Sequence, residues 1–253
     1  MTTAQLDSFY RSILDIEGFA STDSSLNGLQ VDNDGTEVKK VAFAVDASLE
    51  SFKRAAAAGA GMLFVHHGLF WAKPLRVSGI FRQRVKFLLD NNIALYAAHL
   101  PLDQHPAVGN NAVLGTLLGI ENPEPFGFHH GRAIGIQGKL KTPLTVQEAA
   151  HCIEFCSRSA LAVYPFGEKI NRTAAVISGG ASELAVEAIE QGIDLFVTGE
   201  SSHSYYHHAL EGRLNVVAGG HYNTEVWGVR SLMDLTAQKL SLDVAFIDVP
   251  TGL

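Results

Sequence analysis

Along this chain, apolar runs of strand length alternate with longer stretches patterned at the helical period. KKVAFAV (39–45), MLFV (62–65) and IALYAA (93–98) are short and almost unbroken, which predicts buried strands. Between and after them, SLESFKRAAAAGA (48–60), IFRQRVKFLLDNN (80–92) and NNAVLGTLLGI (110–120) space their apolar residues for one helical face. Ser48 stands where an N-cap belongs, with Ser51 in the place of a capping-box acid. This alternation implies an α/β fold with largely parallel or mixed sheets.

The second half repeats the pattern. RTAAVISGGASELAVEAIEQGIDLFVTGE (172–200) runs beside residues 39–68, with LFV at 195–197 falling on LFV at 63–65. Further on, a shift of 122 carries His99-Leu-Pro-Leu-Asp103 onto His221-Tyr-Asn-Thr-Glu225, each just after a predicted strand. A helix at 4–17 likewise corresponds to one at 145–157. The expectation is an internal duplication, two intertwined α/β repeats at 1–128 and 129–253, joined near PEPFGFHHG (123–131). His129 and His130 in that joining loop are expected at the surface.

Ligands of open α/β sheets collect beyond the carboxyl ends of the strands. Those ends carry His66-His67, His99 with Asp103, Thr198-Gly199-Glu200, and His221 with Glu225. Imidazole and carboxylate without thiolate suit a hard or borderline divalent ion such as zinc, iron, manganese, cobalt or nickel. Neighbouring residues of an extended strand point to opposite faces, so His66 and His67 make more sense with two ions than with one, given a bend at Gly68. Two ions roughly 3.5–4 Å apart are the usual arrangement for activating water. His221 and Glu225 share a face if YNTEVWG opens a helix, which Asn223 or Thr224 would cap.

Composition narrows the function classes. With 253 residues, 47% of them hydrophobic, the chain has ample core for one large or two smaller domains. A net charge of −7 argues against nucleic acid, because phosphate neutralisation needs a basic face. No apolar run is long enough to span a membrane. The start, MTTAQLDSFYRSILDIEGF, does not read as a signal peptide, so the expected compartment is the cytoplasm. Cys152 and Cys156 are read as small apolar residues on one face of the 145–157 helix, not as a disulfide.

Taken together, SLNGLQV (25–31), HHGLFW (66–71), AAHLPLDQHPAVGNNAVL (97–114), TGE (198–200) and GGHYNTE (219–225) resemble the YbgI-like, NGG-one-interacting-factor-like family of dinuclear-metal proteins, the type 2 GTP cyclohydrolase I homologues. The resemblance runs from about residue 4 to FIDVP (246–250). It implies a toroidal homohexamer with two divalent metal ions per subunit, held by His66, His67, Asp103, His221 and Glu225. By that pattern His67 and Asp103 serve one ion, His66 and His221 the other, and Glu225 bridges. Glu200 and His207 fit the family pattern as residues approaching the site, and His99 lines it.

The function expected is a metal-dependent hydrolase acting on a nucleotide-like small molecule or a phosphoester, with His99 the candidate for moving the proton. The alternative is a metal-handling or regulatory protein-interaction hexamer without catalysis. Several residues carry weaker expectations. Asn110 and Asn111 are read as caps, Asn27-Gly28 as a turn, and His203 with His207 as a solvated helix face. Trp71 and Phe70 are read as packing before substrate stacking, Lys73 and Arg76 as weak phosphate partners, and SGGAS (178–182) as a tight turn before an anion site.

Overall fold

A computed structural model describes residues 1–253. In chain order the elements are α1 (Thr3–Ile13), β1 (Gly28–Val31), β2 (Lys40–Asp46), α2 (Leu49–Ala57), β3 (Met62–His67), α3 (Gly79–Asp90), β4 (Ala94–Ala97), α4 (Leu100–Asp103) and α5 (Asn110–Leu118). There follow β5 (Ile120–His129), β6 (Arg132–Leu144), α6 (Val146–Cys152), β7 (Ala162–Pro165), β8 (Asn171–Ile177), α7 (Ala185–Glu190), β9 (Leu195–Thr198), α8 (His203–Glu211), β10 (Asn215–Ala218), α9 (His221–Leu240) and β11 (Asp243–Phe246). Two compact units result: Met1–Leu102 with Val229–Val249, and Asp103–Gly228 with Pro250–Leu253. Compactness and ancestry are different criteria, and the repeats at 1–128 and 129–253 stay a proposal about duplication.

The first unit is built on a sheet of order β1-β4-β3-β2-β11, parallel except for β1. Its register puts Phe246 beside Phe43, Phe43 beside Phe64 and Phe64 beside Tyr96, one row of rings across four strands. Centroids are 5.4 Å apart for Phe43–Phe64 and 5.6 Å for Phe64–Tyr96, both stacked, and Tyr10 of α1 lies 4.9 Å from Tyr96. The opposite face carries Ala42, Leu63, Leu95, Ala44, Val65 and Ala97 in a second apolar cluster with Phe52 and Leu88. Apolar packing on both faces is why these strands read as continuous hydrophobic runs. Ser48 caps α2 as expected, its hydroxyl accepting from Ser51 N while Ser51 Oγ accepts from Ser48 N.

The second unit has a six-stranded sheet of order β5-β6-β8-β9-β10-β7, with β8, β9 and β10 parallel and the remaining pairs antiparallel. Its register repeats that of the first: Ala42 pairs with Leu63 and Ala44 with Val65, as Ala174 pairs with Leu195 and Val176 with Val197. Each unit also adds an antiparallel strand after its leading helix, β1 beside β4 and β7 beside β10. The α/β class with mixed sheets is therefore as expected.

Two expectations fail locally. The segment read as a joining loop is a long hairpin, β5 and β6 turning through His130 (φ 48°) and Gly131 (φ 80°), with Phe126 fully buried. Its prolines disguise it, but β5 is an edge strand, where missing N–H groups are tolerated. The helix expected over 145–157 stops at Cys152, and Cys156 has φ 50°, so the cysteines do not share a helical face. No helix is long and apolar enough to cross a membrane.

Candidate metal centre

In the first unit, two neighbouring strand ends, those of β3 and β4, deliver three imidazoles. His66 is fully buried, and its Nδ1 donates to Ala98 O at 3.0 Å, just beyond β4. His67 Nδ1 donates to Asp46 Oδ1 at 2.9 Å, across the register that pairs β2 with β3. His99 Nδ1 donates to Asp23 Oδ1 at 2.9 Å. Carbonyl and carboxylate oxygens only accept, so in each ring Nδ1 carries a proton and Nε2 is the nitrogen turned away from that bond. One ring nitrogen of each histidine lies within 4.8 Å of those of the other two.

Local packing explains this convergence. His66 and His67 leave β3 on opposite faces, yet their ring centroids are only 4.6 Å apart where the strand ends. A methyl group on Gly68 would overlap the Gln30 amide and the Ala97 side chain, so glycine lets the end of β3 come this close to both. Trp71 donates from Nε1 to Gly68 O and sets its ring edge-on to His99, centroids 5.1 Å apart.

Asp23 is the most enclosed acid of the group, its side chain 1% exposed. It accepts from His99 Nδ1, Asn27 Nδ2, Ser25 N and Leu100 N. Burial pushes its carboxyl up, but the bond and charge of His99, with Asn27 and Ser25, outweigh that and hold it below the usual 3.8.

In the second unit, the turn Ser178-Gly179-Gly180 after β8 organises the donors. Asp103 Oδ1 accepts from Asn110 Nδ2 at 2.8 Å and from Ser178 Oγ at 3.0 Å. His221 opens α9 with Glu225 one turn on, and His221 Nε2 lies 3.1 Å from Glu225 Oε1. On the other side of the ring, Nδ1 donates to Glu200 Oε1 at 2.6 Å. With that proton committed to Glu200, the Nε2 electron pair and the buried Glu225 carboxylate face one another, and a proton or a metal cation must lie between them. Gly179 (φ +67°) makes room: a methyl there would overlap Glu225 Oε1. Its N–H donates to Thr224 Oγ1 at 3.0 Å. The donor set in both units, oriented imidazole with carboxylate, fits a divalent ion of the borderline class.

Some expectations change in detail. Asn110 and Asn111 do not cap α5. Both are buried in its first turn, so their amides must be satisfied inward: Asn110 Oδ1 accepts from Gly228 N, and Asn111 bonds Ser178 N and Ile134 O. Asn223 and Thr224 cap nothing, because α9 already begins at His221. Asn27 is more than a turn residue, accepting from His99 N at 2.8 Å. Glu200 does orient His221, whereas His203 and His207 are exposed on α8, as are Lys73 and Arg76 in their loop. Phe70 packs edge-on against Phe81. Sequence reasoning missed Asp23 and Asp46, and it read Ser178 only as part of a turn, not as a partner of Asp103. Asp46 had a signal, since it ends β2 level with the strand-end histidines; Asp23 in its loop had none.

Two α/β units whose strand ends carry oriented imidazoles and carboxylates define a protein with groups able to hold metal ions. More specifically, the chain belongs to the Duf34/NIF3 (NGG1p interacting factor 3) family, whose model matches residues 1–252. A curated relative from Archaeoglobus fulgidus, named GTP cyclohydrolase 1 type 2 homolog, is 46% identical over 253 residues, covering 100% of both chains. Among solved structures, TTHA1606 from Thermus thermophilus has a TM-score of 0.90 at 38% identity, and protein ybgI, described as of unknown function, 0.89 at 35%. Both alignments cover 100% of each chain.

Proposed function

We propose that this protein binds two divalent cations through His66, His67, Asp103, His221 and Glu225 and hydrolyses a nucleotide-like small molecule. The observation carrying this reading is the confrontation of His221 Nε2 with Glu225, at 3.1 Å, while Glu200 occupies the Nδ1 proton. Relatives named GTP cyclohydrolase 1 type 2 homolog support the nucleotide-like substrate. When bound, such a cation pair supplies acidity to a water molecule and polarises a substrate oxygen. The chain's own residues do the remaining work. Ala98 O, Asp46 and Glu200 set the tautomers of His66, His67 and His221, and Ser178 with Asn110 orients Asp103. His99, backed by Asp23, is the imidazole–carboxylate pair that takes up or releases a proton at Nε2.

The test is metal analysis of freshly isolated protein, paired with a panel of GTP, other nucleotides and phosphoesters, using Glu225→Gln as control. Two metal ions per chain and turnover that Glu225→Gln abolishes are expected. Turnover equal in the control refutes the hydrolase; metal without turnover on any member assigns the ions to handling or regulation. Assembly as a homohexamer belongs to the same proposal. Leu75, Val77 and Ile80, 49%, 57% and 69% exposed, support it as a run of apolar side chains needing a cover. Light scattering of the eluting protein reads the oligomer directly.

A further inference from the structure

The second unit holds a cavity of about 310 Å³ beside Asp103, bounded by α5 and the β5–β6 hairpin. Small-molecule sites run from roughly 300 to 1,000 Å³ and are apolar with a few convergent polar groups. This one has that character at the small end. Pro123 and Pro125 of β5 lie beside Ile134 and Ile136 of β6 in the hairpin wall, Ala112 and Gly115 of α5 line it as well, and Asp103 and Glu124 are its two acids.

The polar side chains lining it are Asp103, Gln104, Asn111, Thr116 and Glu124. Asn111 is already committed to Ser178 N and Ile134 O, and the Thr116 hydroxyl donates to Ala112 O. No lysine, arginine or histidine lines the cavity, so a phosphate would find none of the charge-assisted donors it needs. Carboxylates accept, so the matching ligand edge presents N–H groups. Asp103 belongs both to this cavity and to the proposed donor set, which would place an occupant against the metal-binding residues.

We infer that this cavity binds the ring of the substrate: an uncharged, planar heterocycle with adjacent N–H donors, of purine or pterin type, its N–H edge toward Glu124 and its faces between the prolines and isoleucines of the hairpin and Ala112 and Gly115 of α5. The inference rests on the metal-dependent reading above for its chemistry, but its binding test stands apart from that reading. Phosphates, where the substrate has them, lie outside this cavity.

The experiment is calorimetric titration of full-length, metal-loaded protein with guanosine, neopterin and inorganic tripolyphosphate, alongside Ala112→Phe and Glu124→Gln. Ala112 lines the cavity half-buried and Glu124 is exposed; neither is a proposed metal ligand. Guanosine or neopterin should bind, tripolyphosphate should not displace it, and each substitution should weaken it at least tenfold with metal content unchanged. Failure of both rings to bind, displacement by tripolyphosphate, or unaltered affinity in the variants overturns the assignment. Should Ala112→Phe not fold, Glu124→Gln decides alone. Ring binding that persists in wild-type protein unable to take up metal refutes the metal reading and leaves the cavity standing. Normal metal content without ring binding does the reverse.

Discussion

Replacing Asp46 by asparagine removes a charge and keeps nearly the same shape, so it isolates what the carboxylate does for His67. The Asp46 side chain is 36% exposed and that of His67 19%, and at such exposure a bare ion pair contributes only about 0–1 kcal/mol. Orientation is the larger effect. The carboxylate can only accept, which pins the proton on Nδ1; an asparagine can present its NH₂ instead and release the tautomer. Loss of such a partner typically weakens metal binding 10–100-fold, about 1.4–2.7 kcal/mol. Chelator competition at fixed pH should find that loss in Asp46→Asn and none in Asp32→Asn, an exposed acid away from the histidines. Circular dichroism should show both variants folded. An Asp46→Asn affinity within twofold of wild type refutes the reasoning.

Gly179→Ala should lose bound metal and melt several degrees lower, since the left-handed φ costs roughly 1–2 kcal/mol and the methyl displaces Glu225; metal analysis with calorimetry reads both. Phe64→Ala removes the middle ring of the row across β2, β3 and β4 and should cost about 3–5 kcal/mol in urea unfolding. Asp23 has a folded-state pKa below its unfolded one, so its contribution is complete above the ordinary 3.8 and lost as pH falls below it. Stability of the wild type should therefore decline through that acid range, and Asp23→Asn should decline less.

What the sequence makes legible is what repeats locally. β2, β3 and β4 announce themselves as apolar runs, α2 by its period and its Ser48 cap, and the strand-end histidines by position. The four-residue strands β1, β7 and β11 are too short for any period to show, and the β5–β6 hairpin hides behind prolines that only an edge strand accepts. The orienting acids escape for another reason. Asp46 meets His67 across 21 residues of chain and Asp23 meets His99 across 76, and hydrogen bonds at such separations leave no trace in spacing. The asparagine pair Asn110-Asn111 misleads because a residue type favoured at caps is here buried instead.

The position of β11 bears on how the chain is made. β2 pairs in parallel with β11, Lys40 with Asp243, so one border of the first sheet is supplied from beyond the long Asp103–Gly228 segment of the second unit. At roughly 5–20 residues per second, the ribosome leaves β2 without that neighbour for about 10–40 s. A nascent chain thus carries an exposed strand border throughout the time its second half is emerging, and chaperone demand should peak in that interval.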